Sequence, residues 1–373
     1  MKIRIEVSSL ASRYQSGVAA YTALLAEALA KHGDSVRAHY FNFAGRQPEP
    51  KLSENILREK NSLVPLRVYA KAQSYNIAPP FDALLPRVDL TIHPNFATWP
   101  TIKSQKVATV VHDLTYLYYP ELVEEKNLAH LRRVVPRTMK QADYIITVSE
   151  AVKAELIKEF NISPDKCIVT PVPPDNIFKK ELPKSKLAEV REKYGLGDKK
   201  YIFFLGNFEP RKNLKTLVRA YLELPKNIQD EYGLVLAGNY GWKFEETKEL
   251  IDKAINDGAN IKHIGFIDGE DRPALYQAAS VFAFPSLYEG FGIPVLEAML
   301  SGCPVVASDM PVLRETGGNA TLYADPYNSS DLAEKLLTAI KKHPYSNKDM
   351  QANAARFSWD KNIETILGAI NLD

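Results

Sequence analysis

Two carboxylates, Glu289 and Glu297, stand eight positions apart in the stretch from Pro285 to Asp309, with Gly290, Phe291, Gly292, Ile293 and Pro294 between them. An ionised carboxylate only accepts hydrogen bonds, and sugar hydroxyls donate them, so such a pair suits a polyhydroxylated ligand. The apolar run 281–284 leads in as a short buried strand. Gly290 and Gly292 let the backbone approach a ligand without a Cβ in the way. A helix is expected to open at Ile293-Pro294, where proline's missing N–H costs nothing, and its first N–H groups would face an anion. The plainer alternative is a solvated turn acid and a helix-surface acid beside two packing glycines.

Arg211 and Lys212 offer the complementary chemistry. They sit side by side at a helix entry, after Tyr201-Ile202-Phe203-Phe204-Leu205-Gly206. A guanidinium grips phosphate oxygens with a planar fork and an ammonium adds a point charge. On their own they would be read as two surface cations. His112 follows the β-branched run 106–111, at the carboxyl end of a buried parallel strand, where ligands collect in open α/β sheets. A satisfied loop histidine is the alternative there. No G-x-G-x-x-G follows the first strand, which counts against a dinucleotide-dependent dehydrogenase.

The order Glu289, seven residues, Glu297, with Gly-Phe-Gly, Pro and Glu-Ala-Met inside it, resembles the donor-site signature of retaining glycosyltransferases of family 4, which have the GT-B fold. Gly-Asn followed by Glu-Pro-Arg-Lys-Asn at 206–213 resembles the family's phosphate-binding element, and Val-Val-His-Asp-Leu at 110–114 its N-terminal motif. The resemblance spans nearly the whole chain and is strongest from 201 to 326. It implies transfer of a hexose from a nucleotide diphosphate sugar to a saccharide or lipid-linked saccharide, with configuration retained and with neither metal nor cofactor.

The residue roles it implies are specific. Arg211 and Lys212 would hold the donor diphosphate, with Gly206 as the loop wall and Gly17 in a turn facing the same diphosphate. Glu289 would grip the hexose hydroxyls and Glu297 the ribose. The backbone of Gly290, Phe291, Gly292 and Ile293 would face the phosphates, and that of Ile267 the base. His112 would contact the donor sugar from the opposite domain, so that catalysis requires closure. The strings look most like bacterial mannosyltransferases of polysaccharide and lipopolysaccharide assembly, making GDP-mannose the first donor and a UDP-hexose the second. Two rivals remain: an epimerase or phosphorylase on the same scaffold, and a non-catalytic nucleotide-binding scaffold.

The elements needed to position these groups are legible. The 373 residues, 45% apolar and 25% charged, have an ordinary globular composition and suffice for two or three domains at roughly 100–200 residues each. A net charge of +2 argues against a nucleic-acid binder. No apolar run approaches the ~20 residues of a membrane helix, residues 1–7 lack a signal-peptide core, and the two cysteines, Cys167 and Cys303, read as reduced packing residues. A cytoplasmic protein is expected.

Strand–helix alternation predicts an α/β chain of two doubly wound, Rossmann-like parallel sheets. The domains are expected at 1–175 plus 358–373 and at 201–357, joined through 176–200. The proline-rich stretch 44–85 is the least readable. Its basic, apolar segment 63–71 reads first as a surface helix covering the core and otherwise as an interfacial helix touching lipid. The helix holding Arg132, Arg133, Arg137 and Lys140 reads as a solvated face, or else as a dock for anionic lipid or a lipid-linked pyrophosphate acceptor.

Overall fold

The computed structural model describes residues 1–11, 17–342 and 344–370. The chain divides into two units, Met1–Val172 with Ser358–Asp373, and Pro173–Phe357. The stretch 176–200, expected as a connection, instead carries a 3-10 turn, Asn176–Lys179, and a helix, Lys184–Lys193, both within the second unit.

The first unit is built on a parallel sheet of seven strands. In chain order these are β1 (Lys2–Glu6), β2 (Ser35–Phe41), β3 (Leu57–Asn61), β4 (Val88–His93), β5 (Ser104–Val111), β6 (Tyr144–Thr147) and β7 (Cys167–Val169). They lie in the order β3-β2-β1-β4-β5-β6-β7. The central strands are buried at nearly every position, polar Arg4, Thr91 and Thr109 included, as in a parallel sheet covered on both faces. Ile3, Ile5, Leu90, Ile92, Ala108 and Val110 are all fully buried. Local chemistry sets the helix starts as well: Ser149 opens Glu150–Phe160 by accepting a hydrogen bond from the Val152 N–H at 3.1 Å. The tail returns as the helix Trp359–Ala369, where Trp359 packs on Tyr21 and the Asn362 amide donates to the Pro171 carbonyl at 2.7 Å.

The second unit repeats the plan with β8 (Lys200–Leu205), β9 (Tyr232–Ala237), β10 (Ile261–Gly265), β11 (Val281–Phe284), β12 (Val305–Ser308) and β13 (Leu322–Ala324). Their order is β10-β9-β8-β11-β12-β13, again all parallel. Leu234, Leu236, Val281, Ala283 and Val306 face the helix Leu214–Glu223 in one buried cluster. In both sheets the winding direction reverses once, between β1 and β4 and between β8 and β11. Loops leaving the carboxyl ends of the two strands at such a reversal diverge and open a crevice.

Candidate active site

In the second unit the reversal lies beneath Arg211, Lys212 and Glu289. The loop after β8 carries the two cations, and the loop after β11 carries the acid. The Arg211 guanidinium donates to Glu289 Oε2 at 2.7 Å and the Lys212 ammonium to Oε1 at 2.6 Å. Thus the carboxylate, expected to grip sugar hydroxyls, closes an ion triad with the cations expected to grip phosphate. A fourth charge, Glu209, lies 3.5 Å from the Arg211 Nε. Burial alone would raise the Glu289 pKa, but Arg211 and Lys212 overcome it and hold the carboxyl at about 2. Burial presses the Lys212 ammonium downward against the pull of Glu289, while its Nζ also sits 4.7 Å from the Phe284 ring centre.

The backbone welds these loops together. The Arg211 carbonyl accepts from the Leu287 N–H at 2.8 Å. Asn213, in the left-handed region at φ 56°, donates its amide to the Pro285 carbonyl at 3.0 Å and the Pro326 carbonyl at 2.7 Å. One side chain therefore ties the loops after β8, β11 and β13 together. Gly206 belongs to the same neighbourhood, because a Cβ there would meet Lys212 Cε at 3.5 Å. Gly238, after β9, has φ 135°, and a Cβ on it would fall 2.0 Å from the Gly206 carbonyl oxygen. Only glycine fits that approach.

The expected helix opens at Ile293 and runs Ile293–Leu300, with Pro294 in its first turn. Gly292 precedes it at φ 111°, and a Cβ there would lie 2.7 Å from the buried Leu313. Gly290 is half-buried, while Phe291 is buried, with its carbonyl accepting from the Thr316 hydroxyl at 2.7 Å. Glu297 does not share the triad's contacts. Its carboxylate meets the Arg272 guanidinium and accepts from the Tyr276 hydroxyl at 3.0 Å. The expected ribose acid is therefore already held by two protein groups, and a carboxylate's other lone pairs are what it could offer a ligand. Ile267 is buried just past β10, two strands from β8, with the exposed Phe266 beside it.

In the first unit, Gly17 begins the helix Gly17–Lys31 and is exposed; the rest of the expected turn lies outside the described residues. His112 follows β5 and its Nε2 lies 2.8 Å from the Pro94 carbonyl. Tyr21 and Phe96 flank the ring edgewise, with centroids at 5.0 and 5.7 Å. Burial lowers its pKa against the opposing effects of the Pro94 carbonyl and Asp113. A hydrogen bond to a carbonyl requires the proton on Nε2, leaving Nδ1 as the acceptor. Asn213, Gly238 and the Arg272–Tyr276 pair went unassigned in the sequence reading. Asn213 stands inside a string already singled out, whereas Gly238 and Arg272 carry no local signal.

Two Rossmann-like parallel sheets, in two units and with charged loops at a winding reversal, are the architecture of GT-B glycosyltransferases. Family models bear this out: residues 188–370 match "Glycosyl transferases group 1" and residues 15–175 match "Glycosyltransferase Family 4". The chain belongs to these glycosyltransferases. It is 31% identical over 271 residues to the O-antigen chain mannosyltransferase B of Escherichia coli, covering 72% of this chain and 71% of that one. It is also 26% identical to the O-antigen chain mannosyltransferase RfbU of Salmonella typhimurium, over 73% of this chain and 70% of the relative. The match to the serotype-specific mannosyltransferase WbdA of Escherichia coli, 29% identical over 68% of this chain, spans only 32% of that longer protein. Among solved structures, sucrose-phosphate synthase from Thermosynechococcus elongatus superposes with a TM-score of 0.72 at 19% identity, over 98% of this chain and 97% of that one. Among the described residues no helix is long and apolar enough to cross a membrane.

Proposed function

We propose that the protein transfers a hexose from a nucleotide diphosphate sugar, GDP-mannose first, to a saccharide or lipid-linked saccharide, with retention at the anomeric carbon. The observation that carries the proposal is the Arg211–Lys212–Glu289 triad at the winding reversal of the second unit. Departure of the nucleotide builds negative charge on the diphosphate and positive charge on the sugar. Two fixed cations and the N–H groups opening Ile293–Leu300 stabilise the first, without a metal in the proposed mechanism. Glu289, released from part of its ion pairing by the incoming phosphates, accepts from hexose hydroxyls. Glu297 retains Arg272 and Tyr276 and presents its remaining lone pairs to the ribose.

The second carboxylate is engaged elsewhere, so the pair lacks the shared geometry of a hydrolase acid and nucleophile. Acceptor attack from the face the nucleotide leaves, with the departing phosphate taking the acceptor's proton, gives retention without a protein nucleophile. His112, of the first unit, is assigned a contact to the donor sugar. The mannosyltransferase relatives support mannose, and a UDP-hexose is the competing donor. The test is to incubate purified protein with labelled GDP-mannose or UDP-glucose, with and without a mannose-bearing saccharide, and to determine the product's anomeric configuration. Acceptor-dependent transfer from GDP-mannose with retention is expected. Conversion of the sugar nucleotide without acceptor would make the protein an epimerase.

A further inference from the structure

The helix Leu66–Ser74 turns Tyr69, Gln73 and Ser74 inward, with the Gln73 amide donating to the Thr98 carbonyl at 2.8 Å and the Tyr69 hydroxyl to the Pro79 carbonyl at 2.6 Å. This leaves Arg67, Val68, Lys71 and, just past the helix, Tyr75 on the outer side, spaced so that they form one stripe. Leu63 before the helix and Ile77 after it extend the stripe. Four of its members are large apolar groups standing in solvent: Leu63 is 73% exposed, Ile77 75%, Val68 56% and Tyr75 53%.

The adjoining helix Glu125–Gln141 supplies more positive charge. Its Arg137 donates to the Ser74 carbonyl at 2.8 Å, and its Arg133 guanidinium lies 4.5 Å from the Tyr75 ring centre. Arg132 and Lys140 are exposed on the same helix. No Asp or Glu occurs from Lys60 to Phe81 or from Lys126 to Ala142. Of the acids flanking these runs, Glu59 and Asp82 are buried against Arg4. Glu124 and Glu125 stand at the far start of the second helix, and Asp143, just past its end, accepts from the Val107 N–H at 2.7 Å.

We propose that the outer face of the helices Leu66–Ser74 and Glu125–Gln141 docks on an anionic lipid bilayer. This rests on the proposed lipid-linked acceptor and supplies the surface that would bring the enzyme to it. Apolar side chains of this kind enter the boundary between headgroups and acyl chains, while neighbouring Arg and Lys reach the lipid phosphates. A nucleic-acid backbone would use the cations but give Leu63, Val68 and Ile77 nothing to bury. Each cation brought to such a surface strengthens binding about fivefold, and screening over a Debye length of about 8 Å makes the attachment sensitive to salt.

Co-sedimentation of the full chain with vesicles of equal parts phosphatidylglycerol and phosphatidylcholine tests this. The wild type pellets with these vesicles, releases at high salt, and stays in solution with phosphatidylcholine alone. Arg67→Glu with Lys71→Glu weakens binding about 25-fold or more; Leu63→Ser with Ile77→Ser weakens it with charge unchanged. Both keep the wild-type melting temperature and its rise with nucleoside diphosphate, since all four side chains are exposed. Equal pelleting with neutral vesicles, or wild-type pelleting by the charge-reversed variant, overturns the proposal. So does single-stranded RNA binding more tightly than the anionic vesicles. Transfer to a water-soluble saccharide separates the two proposals. Vesicle binding without transfer sinks the proposed function; transfer without vesicle binding sinks only the docking face.

Discussion

Replacing Glu289 by Gln should separate the stability of the triad from its chemistry. Glutamine keeps the shape but removes the negative charge bonded to both Arg211 and Lys212. The fall in the Glu289 pKa from 4.5 to about 2 is worth about 3 kcal/mol at 1.36 kcal/mol per pKa unit. Breaking a buried pair by removing one partner costs a similar ~3–5 kcal/mol. At roughly 2–4 °C per kcal/mol for a unit of this size, the second unit should melt roughly 6–12 °C below wild type.

The same change unmasks two cations, so GDP or UDP should raise the variant's melting temperature at least as much as it raises the wild type's. Arg211→Ala should blunt that rise. Hexose transfer by Glu289→Gln should fall about 10²–10³-fold, as on removal of a group preorganised around the reacting sugar. The assay is differential scanning fluorimetry with and without nucleoside diphosphate, paired with the transfer assay. The reasoning fails if the variant melts with the wild type, or if it loses its response to diphosphate as fully as Arg211→Ala. The pH dependence has a fixed sign. A depressed carboxyl pKa stabilises the fold above about 4.5, and that contribution is lost as pH falls toward about 2.

Gly292→Ala combines φ 111° with a Cβ 2.7 Å from a buried leucine, so it should cost about 1–3 kcal/mol in urea denaturation and lower transfer. Asn213→Gly preserves the left-handed backbone but deletes both carbonyl ties, costing about 1–3 kcal/mol; Asn213→Ala should cost about 1–2 kcal/mol more, because alanine resists that conformation. His39 is buried among Phe41, Phe81 and Trp99, with neither ring nitrogen hydrogen-bonded, and burial, reinforced by Arg4, holds its pKa at about 3. A lowered histidine pKa stabilises the fold above about 6.5 and drains stability as pH falls from there toward 3. His39→Phe should therefore leave the melting temperature near wild type at pH 7 and raise it at pH 5.

Strands that are buried on both faces were readable because their apolar runs leave no other home. The edge strand β3, Leu57-Arg58-Glu59-Lys60-Asn61, was not. Only Glu59 of it is buried, held there by Arg4 at 2.6 Å across two strands, a pairing between residues 55 positions apart that no local pattern announces. The site divides along the same line. Arg211, Lys212 and Glu289 could each be singled out by type and loop position, yet their mutual ion pairing depends on β8 and β11 lying side by side. Glu297 shows the limit most clearly: its spacing from Glu289 suggested a shared task, whereas its partners Arg272 and Tyr276 come from a helix upstream of β11. Spacing along a chain fixes neighbours on one element and is blind to those supplied by another.

The homecoming of Trp359–Ala369 to the first unit imposes an order on biosynthesis. On the ribosome, the sheet β1–β7 emerges early, yet the segment that covers Tyr21 and caps the Pro171 carbonyl appears only after all of β8–β13. Throughout that interval Tyr21 lacks its Trp359 neighbour and the Pro171 carbonyl its Asn362 donor. Chaperone engagement should concentrate there, and messages truncated just before Trp359 should yield products that quality control removes even though the second unit is fully synthesised.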